Sequence, residues 1–300
     1  MTSDLHGIAL RIGATMFFTL MTVCVKWLAD TVPLGQVVFY RSAFALIPLV
    51  IYLVVTGDFP RGLATRRPMA HVLRCALGCA AMFASFASLH YLPLAHASVI
   101  GYLAPILAVL LARALLGEIV NRTRWASVMF GFLGVLVLVI PEATGVQVDP
   151  GYLLGIGLAL TMAIFTAGAK IQIRSLALTE NAGAIALYFA LTCALAGLAT
   201  APLGWVSPTP EQLLYLIGAG AAGGIAHIMM TLALKHSEVS KLAPFEYLAL
   251  IFAVLADALF FGVIPGIAFY LAAACIVMAT LIVVAGDRRR PKAPVAGQKA

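Results

Sequence analysis

Charge is what this 300-residue chain has least of. Asp, Glu, Lys and Arg make up 10% of it, against about 25% in ordinary soluble domains. So thin a charged surface excludes a water-soluble globular domain. The five cysteines, Cys24, Cys75, Cys79, Cys193 and Cys275, contain no CxxC pair and no His/Cys cluster with zinc spacing. Cys75 and Cys79 share a helix face but lack further ligands nearby, so they read as buried free thiols, and no metal site is expected. HExxH is missing, and Asp257 is the single aspartate inside an apolar segment, which removes the residues that intramembrane metallo- and aspartyl proteases need. GxxxxGK[ST] is also missing, so nothing here would bind ATP. The charges are too few to ring an ion-selective pore. No catalytic residue and no cofactor are expected.

What the chain has instead is apolar length. Hydrophobic residues make up 63% of it, and mean hydropathy is +1.04. A bilayer core needs roughly 20 apolar residues per helix, and ten such segments fit, near 7–28, 34–55, 71–91, 97–116, 125–141, 151–170, 181–203, 211–234, 241–261 and 266–285. The first, from Gly7 to Leu28, is too long for a signal-peptide core and lacks a small-residue cleavage pattern, so it reads as a retained span. Net charge is +7, yet eight of the nineteen basic residues lie in two short segments, Arg61–Arg74 and Arg288–Lys292. They mark membrane edges rather than a groove for nucleic acid. Even-numbered connections carry Arg61, Arg66, Arg67, Arg122, Arg124, Arg174, Lys235 and Lys241, whereas the odd-numbered ones carry Asp30, Glu142, Asp149 and Glu211 and no Lys or Arg. Both termini are therefore expected in the cytoplasm. The tail from residue 287 to 300, rich in Arg, Lys, Pro and Ala, reads as disordered.

The chain also repeats itself. YLAPILAVL at 102–110 returns as YLALIFAVL at 247–255, and Gly7, Leu10, Ile12, Gly13, Thr22 and Lys26 return as Gly151, Leu154, Ile156, Gly157, Thr166 and Lys170. Five spans per copy is odd, so the second copy must enter the membrane inverted. The expected fold is all-α and integral to the membrane, with ten transmembrane helices as two inverted five-helix repeats, 1–146 and 147–286. Such designs bind cargo near the midplane between halves.

The hairpin LHYLPLAHASVIGYLAPILAVLLARALLGE at 89–118 carries a small-residue stretch leading to Pro105 and ends in Leu116–Gly117–Glu118, and Arg41 stands in span 2. With the two five-span halves, these features resemble the drug/metabolite transporter superfamily, and more closely its EamA-type bacterial branch, over about 7–285. The second copy departs from the pattern: Leu250 replaces the proline, and Gly262–Val263 ends the helix without the glutamate. Within the branch the chain is most similar to YddG-like exporters of aromatic amino acids and flat organic cations. The resemblance implies a secondary transporter in the bacterial inner membrane that exports small amphipathic metabolites, amino acids including aromatic ones first. An uptake carrier for riboflavin, S-adenosylmethionine or another metabolite is the alternative. The expected partners are a small-molecule substrate and the lipid bilayer, and a monomer is expected.

Ionisable groups within spans are costly, so each is a candidate for function. Glu246 is read as a cavity carboxylate for a substrate ammonium or a coupling proton, against a plain position near the cytoplasmic end in headgroup water. Met82, Phe86 and His90 recur at i, i+4 and i+8 on one face of span 3, a lining that suits a flat apolar cargo. Tyr102 and its repeat mate Tyr247 offer rings with hydroxyls. His227 sits among small residues in span 8, and Tyr91 completes the candidate substrate-binding set. Each of these side chains would serve equally as a satisfied core residue. A structural pair of Asp257 with Arg41 is geometrically allowed, Lys26 and Lys170 lie at helix ends where they would snorkel or else contact a substrate carboxylate, and Trp27 suits the interfacial belt. Gly220 and Gly224 stand at GxxxG spacing and predict close helix packing.

Overall fold

Prolines mark half of the helix starts. In this computed structural model, which describes residues 2–104, 106–108, 110–111, 122–144, 150–176, 179–236, 245 and 248–288, α1 covers Thr2–Leu28 and α2 Leu34–Val55, the latter directly after Pro33. The helix α3 runs Pro68–Tyr91 and α4 runs Leu94–Gly101, directly after Pro93. The next are α5 (Arg122–Thr144), α6 (Pro150–Leu176), α7 (Ala182–Leu198) and α8 (Pro210–His236). Last come α9 (Leu248–Phe261) and α10 (Ile267–Arg288). Proline suits the first turn because the amide it lacks would have no intrahelical partner there. Asn181 caps α7 by accepting a 2.8 Å bond from the Gly183 amide. At the other ends, Gly57 after α2 and Gly262 after α9 take positive φ, the left-handed exit glycine allows.

Among the described residues, six helices are long and apolar enough to cross a membrane: α1, α2, α3, α6, α7 and α8. Leu94–Ala108, Val128–Val137, Leu248–Phe261 and Ile267–Ala279 are shorter apolar helices. The largest departure from expectation is span 4, expected as one helix from 97 to 116. Here α4 begins three residues earlier and stops at Gly101, where the Tyr102 and Leu103 amides bond back three residues, to Val99 O and Ile100 O. Pro105 accounts for the break, since it brings no amide to the carbonyl of Gly101, and helix resumes past the turn, where the Leu107 amide bonds to Leu103 O at 2.8 Å. The tail expected to be disordered from residue 287 begins as helix, since α10 runs to Arg288, and residues 289–300 lie outside the described residues.

The packing is inverted relative to a soluble protein. The interior takes many small side chains, such as Ala159, Ala163, Ala219 and Ala226, each fully buried, while Met16, Ile47, Ile51, Leu136, Leu195 and Leu259 face outward. That distribution fits lipid as solvent, where close backbone approach drives helix association. The GxxxG pair of α8 packs on α2. A Cβ at Gly220 would lie 2.3 Å from Phe44 Cβ, and one at Gly224 would lie 2.4 Å from Pro48 Cγ. The main contacts are α1·α8, α3·α6, α5·α10, α2·α7 and α2·α8, with smaller ones for α3·α7, α4·α9, α1·α9 and α4·α6.

The short helix α4 is held by charge. Asp257 of α9, fully buried, accepts hydrogen bonds from the amides of Leu94 (3.0 Å) and Ala95 (2.7 Å). A carboxylate there satisfies two orphan donors and faces the positive end of the helix dipole. Across the same elbow, Lys26 Nζ donates to the carbonyls of Leu89 and Leu92 at the end of α3. The expected Asp257–Arg41 pair is therefore not formed, because each group is engaged elsewhere. Lys26 folds back onto backbone carbonyls instead of snorkelling.

Candidate functional site

A cavity of about 280 Å³ opens between the halves of the chain. Its wall takes Met21 from α1, Arg41 from α2, Arg74, Gly78, Ala81, Met82, Ser85 and Phe86 from α3, Met162, Thr166, Ala169, Lys170 and Ile173 from α6, Phe189 from α7 and His227 from α8. The α3 residues come from one face, with Arg74, Gly78, Met82 and Phe86 at successive i+4 steps. From Arg74 to Phe86 the helix rises roughly 18 Å, more than half the thickness of a hydrocarbon core. A second chamber of about 180 Å³, lined by Thr22, Ser85, Leu89, Leu94, Ala97, Ser98, Gly101 and Met162, shares Ser85 and Met162 with the first. A third, of about 270 Å³, lies among Val25, Ala29, Val32, Leu34, Val37, Phe86, Ala87, His90 and Tyr91.

The chemistry of the central wall is uneven. Three thioethers (Met21, Met82, Met162) and two rings (Phe86, Phe189) make most of it apolar, while Arg41, Arg74 and Lys170 add positive charge. No Asp or Glu lines it among the described residues. The Arg74 guanidinium lies 4.5 Å from the centre of the Phe189 ring. Gly78 makes that approach possible, since a Cβ there would sit 2.1 Å from Arg74 Nη1 and 2.9 Å from the Phe189 ring. Arg41 spans the gap to α1, with Nε and Nη2 each 3.3 Å from Met21 Sδ, a weak acceptor. His227 packs edge-on against Phe18 at 5.1 Å and Phe189 at 6.3 Å.

Of the residues expected at the site, Met82, Phe86 and His227 meet in the central wall, and Lys170 joins them. His90 and Tyr91 border the third chamber, which touches the central one through Phe86. His90 Nδ1 lies 2.6 Å from Asp30 Oδ1, and its ring meets Tyr91 edge-on at 4.6 Å. The stripe of i+4 steps thus runs from one chamber into the next. Tyr102 is half-buried at the turn that ends α4, next to Gly101 of the second chamber. Glu246 and Tyr247 lie outside the described residues. Trp27 is 37% exposed and packs on Tyr215, Phe260 and Phe261. Sequence reasoning passed over Arg74, Met162 and Phe189. For Arg74 the signal was slight: it is the seventh residue of α3 and was read with the basic residues of the preceding connection.

A family model described as the EamA-like transporter family matches the chain twice, over residues 5–140 and 149–285. A riboflavin transporter of Rhizobium johnstonii is 30% identical, covering 94% of this chain and 91% of its own. The pseudopaline exporter CntI of Pseudomonas aeruginosa is 28% identical over 82% of this chain and 84% of its own. An S-adenosylmethionine uptake transporter of Rickettsia prowazekii is 25% identical over 95% and 94%. One crystal structure, 22% identical, superposes with a TM-score of 0.67 over 94% of this chain and 98% of its own, and so shares the fold. The relatives' names span export and uptake of chemically unlike cargo. They carry the scaffold and not the narrower likeness to aromatic amino-acid exporters.

Proposed function

The chain belongs to the EamA-like transporter family of multi-pass membrane proteins, and from that premise we propose that it moves a small amphipathic metabolite through the central cavity by alternating access. The observation that carries this is the cavity itself. It lies between spans of both halves and pairs thioethers and rings with a few polar groups, the makeup of a small-molecule site. Export of amino acids, aromatic ones first, is the reading put to test. Met82, Phe86 and His227 would hold the side chain, His90, Tyr91 and Tyr102 would border the path, and Glu246 with Tyr247 would meet the amino end. Uptake of riboflavin or S-adenosylmethionine is the second reading, favoured by the relatives that bear those names.

We read the fold as ten spans in two halves, 1–146 and 147–286, set in opposite senses in the inner membrane, with both termini cytoplasmic and the protein a monomer. The packing supports it. Moving each helix five places along turns α1·α8 into α6·α3, α1·α9 into α6·α4 and α2·α8 into α7·α3, and leaves α2·α7, α4·α9 and α5·α10 as themselves. A two-fold exchange of halves requires that pattern. Bonds between halves occur at both ends. Gln36 exchanges two hydrogen bonds with the Val206 backbone, at 2.7 and 3.1 Å. Far along the bundle, Arg67 donates to Ser175 O (3.0 Å) and Ser175 Oγ (2.9 Å), and the Arg66 amide donates to Glu180 at 3.3 Å. Opening the cavity to one side and then the other would break one set and keep the other.

Counterflow in proteoliposomes tests the proposal. Vesicles preloaded with unlabelled phenylalanine are expected to accumulate labelled phenylalanine above empty liposomes, and Phe86→Ala and Glu246→Gln are expected to reduce it. Riboflavin and S-adenosylmethionine follow in the same vesicles. Exchange of none of the three would refute the reading.

A further inference from the structure

We propose that Arg41 and Arg74 form an oxyanion site in the central cavity, so that the cargo carries a carboxylate or phosphate beside its apolar body. This rests on the cavity being the transport site. Both side chains are deeply buried, at 3% and 7% exposure, and both line the cavity. Among the described residues Arg74 Nε and Nη1 have no hydrogen-bond partner, and the acceptor of Arg41 is a thioether.

A structural charge within the bundle would be expected to find a partner, and several do. Lys26 reaches two carbonyls, Asp257 two amides, and Arg67 a carbonyl and a hydroxyl. An unanswered guanidinium in a lipid-embedded bundle is costly and is read as functional by default. The planar fork of arginine matches the paired oxygens of a carboxylate or phosphate. The ring of Phe189 on one face of Arg74 fixes the guanidinium plane while leaving its donors for a ligand. Lys170 and His227 stand on the same wall. A cargo whose only charge is positive would meet Arg41 and Arg74 as like charges on this part of the wall.

Purified full-length protein in nanodiscs would be tested by thermal unfolding with four probes sharing one ring: 3-phenylpropionate, phenyl phosphate, phenylalanine and phenethylamine. The same probes would then be used in counterflow. The acid probes are expected to stabilise the protein and phenethylamine is not. The stronger of the carboxylate and phosphate arms identifies the oxyanion. Arg74→Gln should raise the apparent dissociation constant for the acid probes at least about tenfold, the usual scale for a lost charge-assisted bond. Arg74→Lys keeps the charge without the fork and should fall between. Arg61→Gln, an exposed charge deletion, should match wild type.

Equal stabilisation by phenethylamine and 3-phenylpropionate in wild type would overturn the site, and needs no variant to fold. So would an Arg74→Gln protein that binds the acids as wild type does, or no response to any acid probe. If phenethylamine exchanges in counterflow and Arg74→Gln is indifferent, the oxyanion site falls and transport stands. If acids stabilise in an Arg74-dependent way but nothing exchanges, the site stands and the transport reading falls.

Discussion

Asp257 offers a direct test of how the bundle is held. Its two carboxylate oxygens satisfy the amides of Leu94 and Ala95 at 3.0 and 2.7 Å, in a fully buried position. Asp257→Ala would leave two buried N–H groups unanswered, at about 1–3 kcal/mol each, so a loss of about 2–6 kcal/mol is expected. Asp257→Asn keeps one oxygen acceptor and turns an NH₂ toward the other amide, so about half that loss is expected. The order wild type, Asn, Ala is therefore fixed by geometry. Unfolding of the purified protein in mixed micelles of rising SDS fraction, followed by far-ultraviolet circular dichroism, would measure it. If Asp257→Ala lies within about 0.5 kcal/mol of wild type, or Asn proves worse than Ala, the capping argument is wrong.

Other perturbations follow from the same contacts. Gly220→Leu or Gly224→Leu should cost more than about 3 kcal/mol or abolish accumulation, since even a Cβ there would collide with Phe44 or Pro48, and purified yield with thermal unfolding would show it. Gly157, with open space around it, should accept alanine with a gain of about 0.5–1 kcal/mol in the same unfolding measurement. Gln36→Leu strands the Val206 amide and carbonyl and should lose about 1–3 kcal/mol in SDS unfolding. The Asp30–His90 pair is 2.6 Å long but its side chains are 75% and 44% exposed, so Asp30→Asn should lower stability by less than about 1 kcal/mol, with the difference vanishing in high salt.

Much of the architecture was legible because lipid imposes length and composition together. The starts of α2, α3, α6, α7 and α8 fall within three residues of where the apolar runs begin, and prolines at 33, 68, 150 and 210 mark four of them. The break at Tyr102 was less legible, since apolarity continues straight through it. Arg74 was counted with loop charges because the basic-residue rule works by distance along the chain. Whether an arginine near a helix end reaches out to headgroups or turns inward depends on what its face meets. Here that face meets Gly78 and Phe189, and only tertiary packing reveals it. Asp257 was misassigned for the same reason, because its partners are amides of a short helix that starts unexpectedly early. Met82, Phe86 and His227 could be picked out since thioethers and rings at helical spacing already describe a wall.

That wall has two places where only a methyl group projects: Ala81 and Ala169. In the genetic code alanine lies one base from valine, threonine, serine and glycine. Chamber volume and polarity are thus adjustable in single mutational steps, without moving a helix that holds the bundle together. Relatives with one scaffold and dissimilar cargo are the population such a wall would generate, and a selection for altered cargo in this chain should recover changes at those two positions first.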